Sequence, residues 1–84
     1  MSRALVVEDV RWTADVAATD AFRAAVKIRY RTPAGPAAVF AQSDGTARVV
    51  FDEPQRAVTP GQAAVFYDGD EVIGGGAIMR AEDG

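Results

Sequence analysis

Short runs of alternating apolar and polar residues recur along this chain, and each is cut off by glycine, proline or an Asp-Gly pair before it reaches helix length. The clearest runs from Phe22 to Arg31. Phe22, Ala24, Val26, Ile28 and Tyr30 fall on one side of an extended backbone, and Arg23, Ala25, Lys27, Arg29 and Arg31 on the other. The spacing predicts a strand with one apolar and one basic face, ended by Pro33, Gly35 and Pro36.

The rest of the chain reads in the same way. Leu5, Val6, Val7, Val10 and Trp12 make an extended apolar start, interrupted by Glu8 and Asp9. Residues 13–20 read as a connection; a short helix over 16–25 is the alternative, because alanine favours helix, but the pattern turns to period two at Phe22. Residues 37–42 form a second strand, and Ser43-Asp44-Gly45 supplies hairpin chemistry before a third over 46–51. Residues 52–62 contain Pro54, Pro60 and Gly61 and read as a loop between hairpins. Strands over 63–67 and 72–79 flank the turn Asp68-Gly69-Asp70. Gly74-Gly75-Gly76 inside the last strand weakens it but permits a bulge or a barrel corner. From Arg80 the chain is polar and is expected to fray.

A chain of 84 residues makes one domain and buries only about 60% of the surface its unfolded form exposes. An open sheet of this size would leave edges and an apolar face in water. The expected fold is therefore all-β: a small closed or nearly closed antiparallel barrel of about six strands. Residues 1–21 supply an N-terminal strand and connection, 22–80 the barrel core and 81–84 a tail.

There is no cysteine and no histidine, so disulfides, the usual zinc sites and the common base-assisted nucleophiles are excluded. No apolar run approaches the roughly 20 residues of a membrane span, and the N-terminus lacks a signal-peptide pattern. The expectation is a soluble, cytoplasmic chain with no membrane partner.

The net charge of −3 argues against a general nucleic-acid binder, but it is unevenly spread. Residues 1–20 carry −2 and residues 44–84 carry −5, whereas residues 21–43 carry +4 and no acid. Asp68, Asp70 and Glu71, like Asp52 and Glu53, offer too few oxygens for calcium and read as polar turns; no metal site is expected. Gly74-Gly75-Gly76 lacks the Lys-Ser/Thr of a phosphate-binding loop and reads as a backbone bend. Lys27, the one lysine, stands among three arginines and reads as part of a solvated basic face. On one face of a strand, Lys27, Arg29 and Arg31 lie about 6.6–7 Å apart, near the spacing of successive phosphates. Tyr30 beside them either stacks on a base or belongs to the core, and the cations either hold RNA or keep the barrel soluble.

The run Val26-Lys27-Ile28-Arg29-Tyr30-Arg31, followed by VVFDEPQR over 49–56, AVTPGQAAVFY over 57–67 and DGDEVIGGGAI over 68–78, resembles the C-terminal domain of bacterial tRNA-specific 2-thiouridylases. These are tRNA uridine 2-sulfurtransferases, in older naming tRNA (5-methylaminomethyl-2-thiouridylate)-methyltransferases. The resemblance is strongest from Val26 to Ile78 and loose over 13–25. It implies a barrel similar to the second domain of elongation factors, which helps hold tRNAs of the Lys, Glu and Gln type. The parent enzyme's ATP motif and catalytic cysteines would lie in an N-terminal part, and neither is found here, so this chain is expected to have no cofactor and no catalytic residue of its own. The family's tRNA-contacting Arg-Tyr pair matches Arg29 and Tyr30, and its Gln in Thr-Pro-Gly-Gln matches Gln62. Together with Lys27 and Arg31 these are the expected RNA contacts. The chain is then an excised domain or a stand-alone relative. The rival expectation is a protein-interaction barrel whose basic strand docks on an acidic partner or on the parent enzyme.

Overall fold

The alternating runs pair into one antiparallel sheet that closes on itself. The computed structural model describes residues 1–29 and 31–82 and contains six strands: β1 (Ser2–Trp12), β2 (Ala21–Lys27), β3 (Gly35–Ala41), β4 (Ala47–Gln55), β5 (Ala63–Asp68) and β6 (Glu71–Glu82). Around the barrel they run β1-β4-β3-β2-β5-β6, and β6 returns to β1. The all-β barrel expected from the sequence is the fold observed.

Period two decides what points inward. Val26, Val39, Val49, Phe51, Ala64, Phe66, Leu5, Val7 and Ile78 fill the interior at 1% exposure or less, and Trp12, Phe22 and Val58 pack against them. Each large apolar side chain removed from water contributes roughly 1.5–3 kcal/mol, which is how so small a barrel holds together. Trp12 caps the interior, stacked on Phe66 at 5.1 Å and edge-on to Phe22 at 5.7 Å between ring centroids. β1 is buried on both faces around Val6, whose neighbours across the two ladders, Arg48 and Arg80, are both paired with Glu82.

The connection expected over 13–20 is observed, without the alternative helix, and leads into β2 at Ala21. Three local readings are corrected. β4 runs on through Pro54 to Gln55, where a loop was expected. Between the pairs Ala4–Val50 and Ser2–Gln55 it bulges away from β1, so the missing proline N–H interrupts no ladder bond. β6 extends to Glu82 where fraying was expected, and Glu82 is held there by Arg48 and Arg80. Finally, β2 stops at Lys27: its partner β3 begins at Gly35, opposite Val26, so nothing pairs with β2 beyond that point on this side.

The glycine run does what was expected of it. Two register shifts flank it, one in the β1–β6 ladder between Glu8 and Arg11 and one in the β5–β6 ladder between Phe66 and Tyr67. At Gly74 a Cβ would lie 2.5 Å from Cε3 of Trp12, and at Gly75 2.8 Å from the Ala64 carbonyl oxygen. These are points of close backbone approach inside the wall, where no phosphate could be cradled.

Candidate nucleic-acid interface

Strand direction sorts the loops by charge. The connections at one end of the barrel, residues 13–20, 42–46 and 69–70, carry Asp15, Asp20, Asp44 and Asp70 and no basic residue. Those at the other end, residues 28–34 and 56–62, carry Arg29, Arg31 and Arg56 and no acid. Among the described residues the ion pairs lie on the wall: Arg23 with Asp52, and Arg48 and Arg80 with Glu82. Lys27, Arg29, Arg31 and Arg56 are in none of them. Among the described residues the arginines of these loops make no ion pair, unlike Arg23, Arg48 and Arg80 on the wall, an arrangement that favours a positive potential at this end.

A groove of about 460 Å³ opens on the outer wall near this end, lined by Lys27, Ile28, Arg29, Gln62, Ala63, Val65 and Tyr67. It overlies the shortest seam of the barrel, where β2 meets β5 over only Ala25–Tyr67, Val26–Phe66 and Lys27–Val65. Because Ala64 and Phe66 point inward, Ala63, Val65 and Tyr67 line the outside. A second concavity, between Met1, Arg29, Arg56 and Ala57, shares Arg29 with the first. There Arg29 Nη1 donates to the Arg56 carbonyl at 3.5 Å.

Gln62 is held firmly at the groove. Gly61, at φ 91°, turns the chain so that its N–H donates to the Ile78 carbonyl and the Ile78 N–H donates to the Gln62 carbonyl, both at 2.8 Å. The Gln62 N–H also donates to the Thr59 carbonyl at 3.3 Å, so both backbone groups of Gln62 are bonded while its side chain stays exposed.

The structure therefore brings Lys27, Arg29 and Gln62 to one groove. It does not lay Lys27, Arg29 and Arg31 along one strand: Lys27 ends β2, while Arg29 and Arg31 lie in the following loop, exposed. The regular 6.6–7 Å track expected from the alternation is not formed, and Arg31 lines neither the groove nor the concavity beside it. Tyr30 lies outside the described residues. Tyr67 and Arg56 were not singled out from the sequence. Arg56 was hidden in an acidic stretch of chain, and only the topology carries it to Arg29; Tyr67 was legible as an outward position in its strand, but not as a neighbour of Lys27.

Among the described residues no group of three or more acidic side chains is placed to hold a metal ion. No helix among them is long and apolar enough to cross a membrane. The three carboxylates with shifted acidity all lie away from the groove. Asp52 is held below the usual carboxylate range by its hydrogen bonds from Arg23, Glu82 by those from Arg48 and Arg80, and Asp44 by those from the Thr46 hydroxyl and backbone.

Over residues 2–78 the chain matches the family model described as the aminomethyltransferase beta-barrel domain. It is 52% identical over 71 residues to the tRNA-specific 2-thiouridylase MnmA of Francisella philomiragia, covering 84% of this chain and 20% of that protein. Against the enzyme of the same name from Geobacillus thermodenitrificans it is 52% identical over 77 residues, 92% of this chain and 21% of the relative. Against that of Chloroflexus aggregans the identity is 49% over 79 residues, 94% and 22%. The chain spans about a fifth of the length of these curated relatives.

Proposed function

The chain belongs to the family of aminomethyltransferase β-barrel domains, and from that membership we propose that it is the RNA-holding barrel of a tRNA-specific 2-thiouridylase, with no catalytic residue of its own. The observation that carries the reading is the meeting of Lys27, Arg29 and Gln62 at one groove, on the end of the barrel whose loops carry arginine and no acid. The lack of cysteine and histidine supports a positioning role, since thiol and imidazole chemistry must then come from elsewhere in the parent enzyme. The RNA is tRNA of the Lys, Glu and Gln type, met in the cytoplasm, and the rest of the parent enzyme is the second partner.

Contacts of this kind go mainly to phosphate and sugar; they set register and carry little sequence information. Three or four of them are fewer than the six to ten of a robust binder, so the isolated barrel should bind tRNA more weakly than about 10⁻⁴ M at physiological salt. An NMR titration of the chain with tRNA tests this. The amides of Arg29 and Gln62 should shift; shifts confined to the hairpins around Asp44 and Gly69, at the acidic end, would refute the assignment.

A further inference from the structure

We propose that the groove between Lys27 and Gln62 seats a single unpaired RNA nucleotide, its base lying on Tyr67. This deepens the tRNA-holding reading and rests on it.

The shape of the site distinguishes an unpaired nucleotide from a duplex. A duplex backbone is met by cations set out along a track, and the end of β2 at Lys27 removes that track. In its place is a concavity of about 460 Å³, within the roughly 300–1,000 Å³ of small-molecule sites. Its wall is apolar along Ala63, Val65 and the half-buried Tyr67, with the cations Lys27 and Arg29 and the amide Gln62 around it. An unpaired nucleotide needs these three things: a flat apolar surface for the base, a group that both donates and accepts at the base edge, and positive charge for the phosphate. Tyr67 also borders the two shallower clefts beside this groove, one shared with Arg23 and Pro36 and one with Lys27 and Asp70. Its ring is thus a ridge that an extended strand would cross.

The test uses the 84-residue chain at low salt with two probes. One is a short single-stranded RNA carrying a central 2-aminopurine; the other is the same strand annealed to its complement. The single strand should bind several-fold tighter than the duplex, and its fluorescence should fall on binding. Tyr67→Ala should weaken single-strand binding roughly five- to hundredfold and abolish the quench, whereas Tyr67→Phe should keep both. Val65→Gln, which makes the wall polar beside an intact Tyr67, gives an independent measure should Tyr67→Ala fold poorly, and it too should weaken the single strand selectively. Equal binding of both probes, or a quench indifferent to Tyr67→Ala, overturns the nucleotide seat. In that case a tRNA titration that still shifts Arg29 and Gln62 leaves the wider reading standing. Loss of those shifts as well removes both.

Discussion

Gly76 presses directly on Glu8: a Cβ at Gly76 would lie 2.5 Å from the Glu8 carbonyl oxygen and 2.8 Å from Cγ1 of Val7. The close approach follows from the bulge that β1 makes opposite Gly76, where Asp9 turns to φ 53°. Gly76→Ala must therefore push β1 and β6 apart at the seam that closes the barrel. The expected loss is about 1–3 kcal/mol, read as a lower urea midpoint. Gly45 is the control: its φ is 85°, but nothing lies within 4 Å of its Cβ direction, so Gly45→Ala strains one hairpin without driving two strands apart. Equal losses at the two sites would show that backbone conformation, and not crowding, sets the effect.

Phe66 carries a different kind of weight. It is fully buried and stacked under Trp12, and it projects inward from β5 at the short seam with β2. Phe66→Ala should remove about 3–5 kcal/mol. Total stability runs at roughly 0.05–0.15 kcal/mol per residue, so this change takes much of what a chain this short has. The expected result is a loss of cooperative unfolding, with the emission of Trp12 moving to the red as its ring is wetted. A cooperative melt within a few degrees of the unsubstituted protein would contradict the packing described.

The acidic side of the ion pairs sets the pH dependence. Asp52, Glu82 and Asp44 are each held below the usual carboxylate range in the folded chain, by hydrogen bonds from Arg23, from Arg48 and Arg80, and from Thr46. A depressed folded value favours folding when the group is ionised. The contribution is thus complete above the unfolded range near pH 4 and is lost as pH falls through the lower folded values. Thermal melts should be flat from neutrality to about pH 5 and decline below about pH 4. Because the Arg23–Asp52 pair is exposed and the Arg48–Glu82 pair only half-buried, the decline should be small and shallower in high salt. Asp52→Asn combined with Glu82→Gln should flatten it; a decline centred near neutrality would point to other groups.

What could be read from the residues alone was orientation within each strand. The alternation over Phe22, Ala24 and Val26 and over Val49 and Phe51 named interior positions correctly, because burial on one face of a strand is a local property. Strand ends were harder. The alternation continues past Lys27 to Arg31, yet β2 stops where β3 has no residue left to pair with it. The reverse holds at Pro54, where a bulge against β1 lets the strand pass a proline. β6 holds to Glu82 because Arg48, 34 positions away, reaches it. The site shows the same division. Arg29 and Gln62 entered as candidates through the family's motifs, whereas Tyr67 and Arg56 became neighbours of Lys27 and Arg29 only through closure of the barrel.

The charge-sorted ends give the sharpest test of which surface meets RNA. Arg29 and Arg56 share a concavity at one end, and Arg11 lies near the end of β1 where the acidic connections begin. If the basic end meets phosphates, Arg29→Ala and Arg56→Ala should each weaken tRNA binding and lower the slope of log K against log salt by about one unit per phosphate left without its cation. Arg11→Ala removes the same formal charge and should leave that slope unchanged. Fluorescence anisotropy over a salt series separates the outcomes. Equal flattening by all three would mean that net charge alone governs association. An effect of Arg11 without one of Arg56 would place the RNA on the opposite end of the barrel.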